Sequence, residues 1–380
     1  MAHAIHHLPE SARRMNHERS GNSRITATAR GSRYPLVDAL KAIASQLIVL
    51  HHLAFYGPMS DYALPLAPDL IPWLYDNARI AVQVFLVIGG FLAAQTLAPD
   101  GSLTEKPVVR LIWRRYLKLV LPYLGALLLA IALSAIARNL VDNEAIPEAP
   151  TLARFLAHLF LLQGILGYDG LSAGVWYVAI DFQLYASLLL ILWVAQRILP
   201  RTPATGRVLV IVLLIASLFY FNRDDGWDNW AIYFFGAYGL GATVYWNVRH
   251  REAPLWLGLI AMLVIAALMV DFRSRIVVAL CVAIVLGVAR YRGFIETWPR
   301  SRLIDWLGRI SYSVFLVHFP VCLVINAVFE RFVTHAPAVQ FAGMVVAWLA
   351  SIAVGAVFYA QVESRAQALL KRRSSRFISP

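Results

Sequence analysis

From residue 36 to residue 362 the chain alternates long apolar runs with short polar connections. Each run holds roughly 18–25 residues, enough to cross a hydrocarbon core about 30 Å thick as a helix. Helices of a soluble core would be shorter and would show a polar face at the helical period. A window of about 19 residues predicts spans at 36–57, 77–98, 113–137, 174–197, 206–222, 229–247, 254–271, 275–291, 304–328 and 339–362. The run at 152–166 is shorter and reads as an interfacial or re-entrant helix. The predicted fold is therefore all-α: a polytopic transmembrane helix bundle of about ten spans.

Composition agrees with this pattern: 59% of the 380 residues are hydrophobic and only 15% are charged, against about 25% charged in a soluble domain. A net charge of +12 invites a nucleic-acid partner, but the distribution argues for a lipid bilayer instead. Basic clusters occupy every second connection: Lys106, Arg110, Arg114 and Arg115; Arg197, Arg201 and Arg207; Arg249 and Arg251; Arg290, Arg292, Arg300 and Arg302; Lys371, Arg372, Arg373 and Arg376. The alternate connections are acidic or mixed, with Asp61, Asp69 and Asp76, then Asp142, Glu144 and Glu148, then Asp224, Asp225 and Asp228. Such alternation marks cytosolic loops by their positive charge. It places both termini in the cytosol and makes the number of spans even. Residues 1–33 carry six arginines and no apolar run, which predicts a disordered basic cytosolic segment ahead of a membrane domain at 34–364 and a basic cytosolic tail at 365–380. His3, His6 and His7 in that segment read as solvated rather than metal-binding, and Cys281 and Cys322 fall inside predicted spans, so neither a metal site nor a disulfide is expected.

An ionisable side chain within a span costs roughly 2.5–3.5 kcal/mol on insertion scales, which makes each one a functional candidate. In the first span, YPLVDALKAIASQLIVLHHLAFYG, a helix puts Asp38, Lys41, Ser45 and His52 on one face, while His51 points about 100° away. Lys41 lies roughly 16 Å below His52 along the axis. In the third, PVVRLIWRRYLKLVLPY, Arg114 and Lys118 share a stripe with Arg115 beside it; these residues either anchor the helix end or bind phosphates of a cytosolic donor. The fourth places Tyr177, Asp181 and Tyr185 on one face, with Asp181 deep enough to need a partner. The ninth does the same for Ser311 and His318, and the tenth closes with Glu363, read as a salt-bridge partner at the cytosolic edge.

The chain contains no G-x-S-x-G, no H-E-x-x-H and no phosphate-binding glycine loop. Histidine, carboxylate and cations remain. This apparatus suits acyl transfer by a general base, and on composition and spacing alone it suits a proton-coupled transporter or flippase of a glycan or lipid intermediate equally well. The transporter reading would gain from paired broken helices and inverted repeats, of which none is visible.

Six stretches in order resemble one known family. VDALKAIASQLIVLHH resembles an Asp-x-Leu-Arg opening followed by a histidine eleven residues after the basic position. VQVFLVIGGFLAAQTL resembles a Phe-Phe-x-x-Ser-Gly-Phe stretch, and RRYLKLVLPY an Arg-x-x-Arg motif before Pro and Tyr. VWYVAIDFQLY resembles Trp-Tyr/Phe-x-x-x-Glu-x-x-x-Tyr, LGRISYSVFLVH resembles Gly-x-Ile-Ser-Tyr-x-x-Tyr-x-x-His, and QVES resembles a closing glutamate. These are the marks of the integral-membrane acyltransferase-3 family, bacterial enzymes that O-acylate surface polysaccharides. The chain departs from the pattern at Lys41, Lys118, Gly89, Asp181 and Ser364. The resemblance implies a multi-pass protein of the bacterial inner membrane with no permanently bound cofactor. It implies acyl-coenzyme A, acetyl foremost, as cytosolic co-substrate and a glycan or glycolipid hydroxyl as acceptor. On that basis Lys41, Arg114, Arg115 and Lys118 are expected to bind the donor. His52 is expected to act as base or acyl carrier, with Asp181 orienting it and His318 as a second acid–base group. Asp38, Ser45, Tyr177, Tyr185, Ser311 and Glu363 are expected to support them.

Overall fold

The structure, a computed structural model, describes residues 34–199, 202, 204–248 and 252–376; the expected basic segment 1–33 and the last four residues of the expected tail lie outside them. The described residues are helical with no strand. In chain order the helices are α1 (Pro35–Phe55), α2 (Met59–Ala63), α3 (Leu70–Asn77), α4 (Val82–Leu97), α5 (Val108–Leu140), α6 (Leu152–Leu159), α7 (Val175–Ile198), α8 (Ala204–Phe219), α9 (Ala231–Asn247), α10 (Ala253–Val270), α11 (Ser274–Arg292), α12 (Arg302–Phe332), α13 (Pro337–Phe358) and α14 (Ser364–Arg376).

All ten predicted spans are present as helices. Among the described residues nine helical stretches are long and apolar enough to cross a membrane. The tenth, α9, has 17 residues, the lower end of spanning length. It needs little length for lipid contact because almost every one of its residues is buried by protein. The 152–166 segment does not span: α6 ends at Leu159 and the chain turns back through Leu161, at φ 58°. Elsewhere the helices outrun the hydropathy signal. Helix α5 starts at Val108, so Arg110, Arg114, Arg115 and Lys118 all ride on it. Helix α14 extends the basic tail as a helix.

Local chemistry sets several helix ends. Proline stands in the first turn of α1, α10 and α13, where its missing N–H costs nothing. Thr151 and Ser301 cap α6 and α12 by accepting from Arg154 N (3.2 Å) and Ile304 N (3.4 Å). Gly293, at φ 78°, closes α11 in the left-handed conformation.

Two packed groups make up the bundle. One joins α4, α5 and α7–α11 with the inner faces of α1 and α12 around a continuous apolar core. The other joins α1–α3 with α12 and α13 around Val49, Leu53, Met59, Val314 and Met344. Small residues allow the tightest crossings, as expected where lipid gives no hydrophobic drive to helix association. On α4, Gly90 lies against the carbonyl of Tyr238 of α9, and on α9, Gly241 lies against that of Val87. On α12, Gly308 lies against the backbone of Asp38. Helices α8, α10 and α11 present Val212, Leu255, Met262, Met269 and Val285 outward, a surface suited to acyl chains. The connections divide between a basic end, which holds the start of α1, and an acidic end, which holds its finish.

Candidate active site

Helix α1 turns its two adjacent histidines to different partners. His51 Nδ1 lies 3.1 Å from the carbonyl of Leu74 on α3, a bond that ties two elements together. His52 Nδ1 lies 2.7 Å from Nε2 of His318 on α12. The two rings stack with centroids 4.9 Å apart, and His318 is fully buried. His318 Nδ1 sits 3.0 Å from the Val314 carbonyl. A carbonyl only accepts, so that nitrogen carries the proton. With both rings neutral, His318 Nε2 is then the acceptor and His52 Nδ1 the donor. The unprotonated nitrogen of His52 is therefore Nε2, and it has no hydrogen-bond partner among the described residues. The network thus aims a lone pair away from the pair.

A cavity of about 380 Å³ opens on the basic side of this pair. Its wall brings together eight of the residues expected from the sequence: Asp38, Lys41, Arg115, Lys118, Tyr177, Asp181, Ser311 and Glu363. Inside it the charges are mostly matched. Lys41 pairs with Asp38 at 3.0 Å, and Arg115 pairs with Asp181 at 2.5 Å while lying 5.1 Å from the Tyr185 ring centroid. Lys118 has no ion pair or hydrogen bond among the described residues, and neither has Arg309, which lines the same cavity. These are the two cations open to a ligand.

Several expectations need correction. Asp181 does not orient His52: it sits on the cavity wall, where the nearer Arg115 guanidinium takes it as an ion-pair partner. The orienting contact on His52 comes from His318. Glu363 is not a salt-bridge partner among the described residues. It accepts from Ser313 Oγ at 2.6 Å and from Gln367 Nε2 at 2.9 Å, turned inward by a π-helical turn at Tyr359–Glu363. Ser45 and Ser311 spend their hydroxyls on their own helix, bonding Ala42 and Gly308 carbonyls at 2.9 Å. Arg114 is exposed and lies off the cavity, as a helix anchor would.

An aromatic layer separates the cavity from the histidines. Phe85, Tyr177 and Phe315 line the cavity, and the Phe315 ring centroid is 6.1 Å from that of His318. Beyond the pair, Tyr56 and Phe319 stand 5.4 Å and 6.0 Å from His52 and line a second cavity of about 550 Å³ at the acidic end. The histidines thus sit between spaces that open toward opposite ends of the bundle. Sequence reasoning missed Arg309 and the whole acidic-end lining. Arg309 stands inside the quoted LGRISYSVFLVH stretch, so its place there was a usable signal; the acidic-end lining mixes loop residues such as Glu144, Glu148 and Asp169 with single positions from several helices, such as Arg154, Trp176 and Phe319, and no period within one helix brings these together.

Residues 34–357 match the model of the acyltransferase domain family. The chain belongs to the acyltransferase-3 family. Neither the curated proteins nor the solved structures give a match. The family assignment makes this chain a membrane-embedded acyltransferase, with its histidine pair and all of the basic-end cavity lining except Tyr359, Glu363 and Gln367 inside the matched region.

Proposed function

We propose that this acyltransferase moves an acyl group, acetyl foremost, from coenzyme A bound at the basic end to a hydroxyl of a glycan held at the acidic end, in the bacterial cytoplasmic membrane. The observation that carries this reading is the His52–His318 pair standing between two opposed cavities. The basic-end cavity offers Lys118 and Arg309 as unpaired cations, and such groups bind phosphate oxygens through charge-assisted hydrogen bonds. Along α1 the distance from Lys41 to His52 is roughly 16 Å, so a donor with its phosphates at the basic end must thread an extended arm past the Phe85–Tyr177–Phe315 layer.

The chemistry follows from the tautomer. The acceptor hydroxyl gives its proton to His52 Nε2 as its oxygen attacks the thioester carbonyl. The His52 imidazolium then keeps its Nδ1–H bond to His318, the role a carboxylate plays in a triad. When the carbon–sulfur bond breaks, the thiolate leaves with the proton that His52 returns. The ester stays on the acceptor and the histidines regain their starting state.

The test is coenzyme A release from acetyl-CoA by the purified protein in lipid nanodiscs. Release that needs His52 supports the reading. Release unchanged in His52→Ala, or no release with any sugar present, would defeat it, and proton-coupled uptake by vesicles would then favour the transporter alternative.

A further inference from the structure

Helix α7 has two working faces. Tyr177 and Asp181 look into the basic-end cavity. Trp176, Ile180 and Gln183, spaced as one helical stripe, line another cavity of about 370 Å³ at the acidic end. That cavity lies beside the 550 Å³ space next to His52, and Trp176 is a wall of both. Its volume falls in the range of small-molecule sites.

The chemistry of its lining is narrow. Apart from the Tyr233 hydroxyl, which donates to Asp225 Oδ1 at 2.6 Å, and the Trp176 indole N–H, its polar side chains are aspartate, asparagine, glutamine and arginine. Each of these ends in a planar group with two adjacent polar atoms. Two neighbouring hydroxyls on a ring present the matching spacing. Its apolar lining includes two aromatic faces, Trp176 and Phe234, whose ring centroids lie 5.6 Å apart. The Arg79 guanidinium stands 5.9 Å from the Trp176 centroid. A face of C–H groups with a rim of hydroxyls is the shape of a sugar ring.

Two amides face this cavity with polar atoms that the fold leaves open. Gln83 is only 5% exposed, lines the cavity and has no hydrogen bond among the described residues. Gln163, 2% exposed, spends its N–H on the Val175 carbonyl at 3.2 Å and leaves its own oxygen without a donor. Buried polar groups are nearly always bonded, so the Gln163 oxygen calls for a donor from the cavity, and the Gln83 amide stands beside it on the same wall.

We infer that the Trp176–Gln83 cavity is a second sugar subsite, which holds the ring next to the one acylated beside His52. The acceptor is then an oligosaccharide that straddles Trp176, not a single sugar. This rests on the acyl-transfer reading for the role of the neighbouring space.

Saturation-transfer NMR on the full protein in nanodiscs tests it with a panel of methyl glycosides of glucose, galactose, mannose and rhamnose and the corresponding disaccharides. Gln83→Leu is the deciding variant, because Gln83 has no hydrogen bond among the described residues and leucine has nearly its shape. Asp69→Asn, on an exposed acidic-end loop, is the control. The expected result is that at least one disaccharide binds more tightly than its monosaccharide, that Gln83→Leu loses this advantage by tenfold or more, and that Asp69→Asn keeps it. No binding by any glycoside, no advantage of the disaccharide, or an unchanged Gln83→Leu would overturn the inference. Coenzyme A release measured on the same samples keeps the two ideas apart: its absence defeats the acyl-transfer reading whatever the sugars do, and its presence without glycoside binding defeats only the subsite.

Discussion

At the scale of single residues the site divides into groups already satisfied by the fold and groups left open. Lys118 is open, and one charge-assisted hydrogen bond is worth about 1.5–3 kcal/mol. Lys118→Gln should therefore raise the donor KM about ten- to a hundredfold, while Lys118→Arg, with a fork that fits phosphate, should keep or improve binding. Steady-state kinetics with acetyl-CoA checks both. Asp181 is satisfied, so Asp181→Asn should act mainly on stability. Breaking a buried pair costs about 3–5 kcal/mol, and Arg115, 23% exposed at its side chain, puts this pair at or below the lower figure. A melting temperature that falls with Asn and recovers with Glu is the expected outcome. His318→Gln keeps an acceptor for His52 Nδ1 and should retain more kcat than His318→Leu. The helical period on α1 alone separates His52 from His51, and the structure gives them different partners. The pairing of Asp181 with Arg115 was not legible, because it joins α7 to α5 and no spacing within one helix reports a contact 66 positions away.

At the scale of elements, the helices were legible because lipid imposes an apolar run on each of them. Their ends were less so: α5 and α12 extend past the apolar run at both ends, with 33 and 31 residues, where polar residues meet water or headgroups and hydropathy no longer marks the helix. The α4–α9 crossing gives a test of packing. A methyl added at Gly90 or Gly241 would meet the backbone of the opposite helix. Overpacking costs about 1–3 kcal/mol, so Gly241→Ala should lower the melting temperature measurably, whereas Gly258→Ala, with open space around it, should not. The 152–174 segment carries its own pH dependence. His158 is neutral in the fold: Nδ1 bonds the Arg154 carbonyl at 2.7 Å and Nε2 accepts from Leu171 N at 3.1 Å. Burial holds its pKa below the ordinary value. A histidine depressed in the folded state binds its proton more readily when unfolded, so stability is retained above about pH 6.5 and falls as pH drops below it. Hydrogen exchange over this segment should quicken from pH 7 to pH 5, and His158→Gln should flatten that change.

At the scale of the whole molecule, the alternation of basic and acidic connections predicts which end faces outward. Single cysteines placed in 58–76, 138–173, 223–228 or 329–338 should react with an impermeant reagent in intact cells, and cysteines in 100–110 or 292–303 should not. The bundle itself was legible from hydropathy and motif order. The cavities were not, since each is closed by side chains from several helices and from loops that carry no periodic signal.

The central claim is that His52, set by His318 between two opposed cavities, performs the transfer. General-base catalysis is worth about 10²–10⁴-fold. The direct measurement is single-turnover coenzyme A release from acetyl-CoA in nanodiscs, with a glycan acceptor present, for wild type, His51→Ala and His52→Ala side by side. The account predicts that His52→Ala slows release by at least about a hundredfold with donor binding intact, and that His51→Ala, which loses only a tie to Leu74, stays within about tenfold of wild type. Equal losses in the two variants, or a larger loss in His51→Ala, would contradict it.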